Sequence, residues 1–134
     1  MQTHIIEIET GAREVVMDIT RQCESALGGV EDGLLHVFVP HATAGIAILE
    51  TGAGSDDDLL NALKDLLPAD NRWIHQHGSK GHGRSHVMPA LIPPYASVPI
   101  VGGRLALGTW QSICLVDLNV DNHVRKVRMS VLQG

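Results

Sequence analysis

Residues 98–118, VPIVGGRLALGTWQSICLVDL, decide the fold class of this chain. The apolar, partly β-branched runs at residues 98–101 and 104–107 flank Gly102-Gly103, a two-residue turn typical of a β-hairpin. Residues 112–118 continue the apolar pattern of a strand. The stretch therefore predicts antiparallel sheet in the C-terminal part of the chain.

The rest of the chain adds further strands and two helices. Strands are predicted at residues 3–9, 34–39, 45–49 and 124–132. Apolar positions in residues 15–27 recur at three- and four-residue steps before Gly28-Gly29, which predicts an amphipathic helix. A second helix is predicted from Ser55, with aspartates in its first turn, to Pro68. We expect a β-rich α+β fold: a largely antiparallel, two-layer or sandwich-like sheet with two main helices.

Length, composition and charge limit the class of protein. The chain has 134 residues, of which 44% are hydrophobic and 19% charged, and this suits one domain over residues 1–134. The net charge of −5 argues against nucleic acid as a partner, because such binding requires many basic residues. No apolar run approaches the roughly 20 residues of a membrane span, and no secretory signal is visible. We expect a cytoplasmic protein without a membrane partner.

The segment PHATA, residues 40–44, is a polar turn between two predicted strands. A histidine at a strand end can bind a metal or transfer a proton, and Thr43, two residues after His41, could orient a phosphate or a water. Glu50 ends the next strand and could project from the same edge of the sheet. A hairpin turn with solvated polar side chains explains the same residues and is slightly favoured by the fragment alone.

Residues 75–86, HQHGSKGHGRSH, hold four of the eight histidines. Imidazole is a common metal ligand, and the HxH and HxxxH spacings can bring two rings to one ion. The glycines, with Lys80 and Arg84, would also suit an anion. A flexible, solvated loop is the alternative, and spacing alone does not decide which histidines are ligands.

The run GTWQ, residues 108–111, interrupts the β pattern with a glycine in mid-strand, which is typical of a bulge or a close approach. Trp110 and Gln111 could form a wall of a small-molecule pocket. Equally, Trp110 could fill the core while Gln111 faces water. Near the C terminus, Arg125 belongs to a basic cluster that could bind phosphate or lie on a solvated strand face.

Taken together, these residues resemble the YjbQ-like family of secondary thiamine-phosphate synthases. The resemblance is carried, in family order, by His41-Ala42-Thr43-Ala44, Glu50, Asp58, His75, Ser85-His86, Gly103, Gly108-Thr109-Trp110-Gln111 and Arg125. It implies a YjbQ-like domain that assembles as a homotrimer. It also implies a weak transferase activity, joining a hydroxymethylpyrimidine diphosphate to a thiazole phosphate with release of pyrophosphate. The family resemblance makes this a secondary activity rather than the main physiological role.

The same resemblance implies a metal site. His41, His75 and His86 would gather in one pocket and bind a divalent metal ion, for which Zn and Mg are both open. His77 and His82 do not match family positions, so they are assigned to the loop and not to the first choice of ligands.

Catalytic and substrate-binding residues follow from the resemblance as well. The expected catalytic groups are Glu50, Asp58 and Thr43. A phosphorylated small molecule would be bound by Trp110, Gln111, Thr109, Ser85 and Arg125. Asp117 stands where the family commonly has glutamate, which shortens the reach of that carboxylate.

Two other functions are compatible with the same residues. One is a trimeric metal- or phosphate-binding module without dedicated catalysis. The other is a metal-dependent hydrolase of a small phosphorylated metabolite. Metal analysis with a coupling assay separates the synthase from the binding module, and release of phosphate from phosphate esters identifies the hydrolase.

Overall fold

The computed structural model describes residues 1–134 and contains two antiparallel β-sheets. The strands are β1 (Gln2–Glu9), β2 (Val15–Asp18), β3 (Gly33–Phe38), β4 (Ala44–Leu49), β5 (Tyr95–Val101), β6 (Arg104–Leu105), β7 (Ser112–Asp117) and β8 (Val124–Gln133). The helices are α1 (Thr20–Ser25), α2 (Ser55–Leu66) and α3 (Met88–Leu91), with a 3₁₀ helix at His82–His86. The larger sheet has the order β1-β8-β3-β5-β6, and the smaller has the order β2-β7-β4. The strand-rich α+β prediction is confirmed.

The two sheets share the main hydrophobic core. Leu35 and Met129 from the larger sheet are buried in the same cluster as Ile46 and Leu115 from the smaller one. Cys23 of α1 belongs to this cluster too. Because successive side chains of a strand point to opposite faces, each sheet can bury one face here and keep its other face for a different contact.

Helix α2 covers the second face of the smaller sheet. Leu63 of α2 and Leu67, the residue directly after the helix, pack with Val116 of β7 and with Leu118, which follows β7. Met88 completes this second cluster. The segment that follows α2 is therefore held against the smaller sheet. No helix of the chain is long and apolar enough to cross a membrane.

The predicted helix at residues 15–27 is divided in the structure. Val15–Asp18 is strand β2, in which Val16 lies opposite Val116 of β7, and only Thr20–Ser25 forms the helix. The prediction of helix at the start of this range was wrong. β-Branched residues are well suited to a sheet, and pairing with β7 outweighs the local helical spacing.

The run at residues 108–111 is a turn and not the middle of a strand. The Gly108 amide donates to Gln111 Oε1 at 2.7 Å, and the Gln111 amide donates to the Gly108 carbonyl at 3.0 Å. These local bonds satisfy the backbone groups of the turn, so β7 begins only at Ser112. The hairpin at Gly102-Gly103 is confirmed, since Ile100 pairs with Leu105 across it.

Residues 40–43 connect strands of different sheets and therefore do not form a hairpin. Strand β3 pairs with β5 and β8, whereas β4 pairs with β7. This connection carries the chain from the larger sheet to the smaller one and places Thr43 at the boundary between them.

A buried ion pair joins the two sheets beside this connection. Arg125 of β8 and Asp117 of β7 are both fully buried, and Arg125 Nε donates to Asp117 Oδ2. Arg125 Nη2 also donates to Asp117 Oδ1 at 3.3 Å and to Thr43 Oγ1 at 3.5 Å. Two nitrogen donors of the Arg125 guanidinium thus link β8 of the larger sheet to β7 of the smaller sheet.

Replacing Arg125 with methionine should lower the free energy of unfolding by about 3–5 kcal/mol, because the Asp117 carboxylate would be left buried without its partner. The matched control is Arg128→Met, which removes an exposed arginine from the same strand and should change that free energy by less than about 0.5 kcal/mol. Urea unfolding followed by circular dichroism measures both variants. Equal losses in the two would contradict a special role for the buried pair.

Candidate metal centre

The segment from Leu67 to Val87 is anchored at the C-terminal end of α2. Trp73 Nε1 donates to the Pro68 carbonyl at 2.8 Å, and Arg84 Nη1 donates to the Leu67 carbonyl at 3.0 Å. The Arg84 side chain is almost fully buried and forms a further ion pair with Glu14. These contacts fold the segment back on its own beginning.

Two glycines allow this segment to close tightly. A Cβ at Gly83 would lie 2.3 Å from the His75 carbonyl oxygen, and one at Gly78 would lie 2.6 Å from Asp121 Oδ2. Gly78 also has a φ of 70°, in the left-handed region that favours glycine. Gly83 therefore lets two parts of the segment backbone meet, and Gly78 lets the Asp121 side chain approach the segment.

Four histidines converge in this closed segment: His75, His77, His82 and His86. One ligand nitrogen from each lies within 4.8 Å of all the others, and we call this group the histidine cluster. His82 Nε2 and His86 Nε2 are 3.0 Å apart. The rings of His75 and His77 are exposed, whereas His82 is buried and His86 half-buried. One side of the cluster is thus open to solvent.

The histidine cluster has the donor set of a transition-metal site. Zn²⁺ binds imidazole nitrogen at about 2.0–2.1 Å, so tetrahedral ligands would be about 3.3 Å apart. The nitrogens of His82 and His86, 3.0 Å apart, are already about this close, and all four nitrogens lie within 4.8 Å of one another. Burial, reinforced by the neighbouring histidines, lowers the pKa of His86 below its ordinary value. The neutral imidazole that this favours is the form that binds a metal.

Asp121 lies directly beside the buried member of the cluster. Its Oδ2 is 2.9 Å from His82 Nδ1 and accepts hydrogen bonds from both the backbone nitrogen and the Oγ of Ser79, each at 3.0 Å. The backbone hydrogen bond from Ser79 lowers the pKa of the Asp121 carboxyl, against the opposing effect of burial. An ionised carboxylate therefore faces the far side of the His82 ring.

His41 is not part of the histidine cluster: within one chain the structure does not bring it together with His75 and His86, with which it was predicted to group. Its Nε2 accepts a hydrogen bond from the Lys126 backbone nitrogen at 2.9 Å, beside the buried ion pair that joins the sheets. His77 and His82, which sequence reasoning set aside as loop residues, stand with His75 and His86 instead. The HxH spacing of His75 and His77 and the HxxxH spacing of His82 and His86 are the sequence signals that could have identified this group of four.

The predicted catalytic residues are dispersed. Glu50 and Asp58 are exposed, after β4 and in α2, and neither belongs to the histidine cluster. Thr43 is buried, and its Oγ1 accepts hydrogen bonds from Asn119 Nδ2 at 3.4 Å and from Arg125. The structure does not bring these three groups together around the histidines within one chain.

The predicted substrate-binding residues occupy three places. Thr109 and Gln111 line an open cleft of about 580 Å³ beside α1, and Trp110 is next to it in the chain with 73% of its surface exposed. Ser85 is fully buried, and its hydroxyl donates to the His82 carbonyl at 2.6 Å. Arg125 is occupied by the buried ion pair. The exposed Trp110 does not fill the core.

The chain is similar over its whole length to proteins of one family. A family model described as UPF0047 protein YjbQ-like matches residues 4–134. The UPF0047 protein Rv2556c of Mycobacterium tuberculosis is 52% identical over 134 residues, 100% of both chains. UPF0047 protein YugU of Bacillus subtilis is 33% identical over 114 residues, 81% of this chain and 83% of the relative. The crystal structure of a YbjQ-like protein from Sulfolobus solfataricus has a TM-score of 0.91 at 27% identity, covering 99% of this chain and 97% of that one.

These relatives correct the expected activity. The family and the curated relatives are named only as UPF0047 proteins, and the Sulfolobus protein is described as being of unknown function. None of these names indicates thiamine-phosphate synthesis. The prediction of a secondary thiamine-phosphate synthase, and of a transferase, was therefore wrong, and the function has to be inferred from the side chains themselves.

Gly83→Ala should lower the free energy of unfolding by about 1–3 kcal/mol, because the new methyl group would overlap the His75 carbonyl oxygen. Gly52→Ala is the control: a Cβ there meets nothing within 4 Å, although its φ is 82°, and the strain of that conformation alone costs about 1–2 kcal/mol. Hydrogen exchange of the backbone amides distinguishes the two variants. Only the Gly83 variant should exchange faster in residues 73–86, and equal exchange in both would contradict the close packing of this segment.

Proposed function

Because the chain belongs to the YjbQ-like UPF0047 family, for which no activity is assigned, we propose a function from its own geometry: the protein binds one divalent transition-metal ion in the histidine cluster. The observation that carries this proposal is the convergence of four imidazole nitrogens within 4.8 Å. A cation at the centre of these four rings would be bound by the nitrogen lone pair that each neutral imidazole offers.

The donor atoms favour a particular class of metal. Zn²⁺, Ni²⁺, Cu²⁺ and Co²⁺ bind imidazole nitrogen well, whereas Mg²⁺ prefers oxygen ligands and keeps its waters. The histidine cluster contains no carboxylate. Of the two ions left open by the sequence, Zn²⁺ is therefore favoured over Mg²⁺.

The number of protein ligands favours a structural ion. Four nitrogens complete a tetrahedral shell, whereas a catalytic zinc keeps one position open for water or substrate. Such an ion would fasten the segment from Leu67 to Val87, which has only one short helical turn of its own, at His82–His86. Metal binding would then stabilise the folded chain by mass action.

A titration of the metal-free protein tests the proposal. After treatment with a chelator, the wild-type protein should bind about one Zn²⁺ per chain by calorimetry and should not bind Mg²⁺. His82→Ala should weaken Zn²⁺ binding at least 100-fold, because it removes the buried ligand. Zn²⁺ at 100 times its dissociation constant should add about 2.7 kcal/mol to the free energy of unfolding.

His41→Ala is the matched control, since His41 was predicted as a ligand but lies outside the histidine cluster. Its Zn²⁺ affinity should equal that of the wild type. Absence of Zn²⁺ binding by the wild type, or equal losses in the His41 and His82 variants, would rule out the cluster as the metal site.

We also propose that the chain assembles as a homotrimer through the outer face of its larger sheet. Leu34 pairs across strands with both Leu132 and Pro99, so these three side chains share the face turned away from the core. Val101 also lies on this face and is 60% exposed. An exposed group of apolar side chains of this kind is typical of a protein–protein interface.

Native mass spectrometry should therefore give a mass three times the 14.4 kDa of one chain. Leu132→Asp should shift the protein towards monomer, because it places a charge in the apolar face, while Lys126→Asp, a charge change on the same strand among polar neighbours, should leave the trimer intact. A monomeric wild-type protein would disprove this assembly.

The phosphorylated small molecule stays a prediction, as does the cytoplasmic location. Support for the small molecule comes from the cleft lined by Thr109 and Gln111, because Arg104 lies in the same lining and offers a positive charge.

A further inference from the structure

We infer that Asp121 is the residue that orients His82 for metal binding, acting on the ring nitrogen that does not face the ion. This inference rests on the proposed metal site. It assigns a role to a carboxylate on the turn between β7 and β8, far from the histidines along the chain.

The contact between the two side chains is direct. His82 is only 8% exposed, and its Nδ1 lies 2.9 Å from Asp121 Oδ2. Although that nitrogen is this close to the carboxylate, it forms no aligned hydrogen bond with any group. A buried, polar ring nitrogen without a hydrogen bond is costly, and Asp121 is the group near enough to satisfy it after a small rotation of the ring.

Asp121 is itself held in place from two directions. Its carboxylate accepts both hydrogen bonds from Ser79, on the segment that carries the histidines. Its backbone nitrogen donates to Asn119 Oδ1 at 2.8 Å, within the turn after β7. Rotation of the carboxylate away from His82 would break both hydrogen bonds from Ser79, while the bond to Asn119 fixes the backbone from which the side chain projects.

The geometry determines which nitrogen of His82 would bind the ion. A carboxylate beside Nδ1 stabilises the tautomer with the proton on Nδ1, so the lone pair remains on Nε2. Nε2 is the atom that lies 3.0 Å from His86 Nε2 at the centre of the histidine cluster. A carboxylate paired with a metal-binding histidine in this way orients the ring and increases its basicity.

Asp121→Asn tests this role, because it keeps the shape of the side chain and removes its charge. Zn²⁺ affinity measured by calorimetry on the full chain should fall about 10- to 100-fold, with the stoichiometry still near one. Asp121→Glu should recover part of the loss. Asp65→Asn, which neutralises an exposed carboxylate of α2, should bind as tightly as the wild type.

A spectroscopic readout separates orientation from general stability. Long-range ¹H–¹⁵N spectra of the metal-free protein should show His82 with its proton on Nδ1 in the wild type and with a mixture of tautomers in Asp121→Asn. If the wild type binds no Zn²⁺, the proposed function and this inference both fail. If the wild type binds and Asp121→Asn keeps full affinity with an unchanged tautomer, only the role of Asp121 is overturned.

Discussion

The buried pair of Arg125 and Asp117 is the interaction on which the rest of this structure depends. It crosses from the larger sheet to the smaller one, so it sets how the two layers of the core meet. Asp117 Oδ1 also accepts a hydrogen bond from the Asn119 backbone nitrogen at 2.8 Å, which shapes the turn after β7. Since Asn119 in turn binds the backbone of Asp121, a continuous series of hydrogen bonds runs from the core to the edge of the histidine cluster.

The histidine cluster lies on a segment that owes its shape to contacts with other elements. Arg84 is buried between the C-terminal end of α2 and Glu14. Trp73 packs against the hydrophobic cluster that α2 forms with the smaller sheet. Asp121 contacts this segment from the opposite side, where its carboxylate accepts a hydrogen bond from the Ser79 backbone nitrogen. A bound ion would add a further tie at the point where the segment is most exposed, at His75 and His77.

Local patterns predicted most of the fold but little of the site. Helix α2 and the hairpin at Gly102-Gly103 were predictable because their signals, an apolar stripe and a two-residue turn, are contained within a few residues. The strand β2 was not predictable in this way, because it forms by pairing with β7, which is distant along the chain. Within one chain His41 lies apart from His75 and His86, a separation that was not predictable because family order along the chain does not show which loops meet.

The sequence by itself determined the strand-rich fold class, since alternation and helical spacing decide which face of each element is apolar. It also determined that four histidines would lie close together along the chain, between residues 75 and 86. Only the tertiary structure decided that all four rings converge, because their meeting requires close packing of Gly83 on the His75 backbone and of Gly78 on the Asp121 side chain. It alone brought Asp121 to His82, since that contact joins two segments held together by the packing of α2 on the smaller sheet.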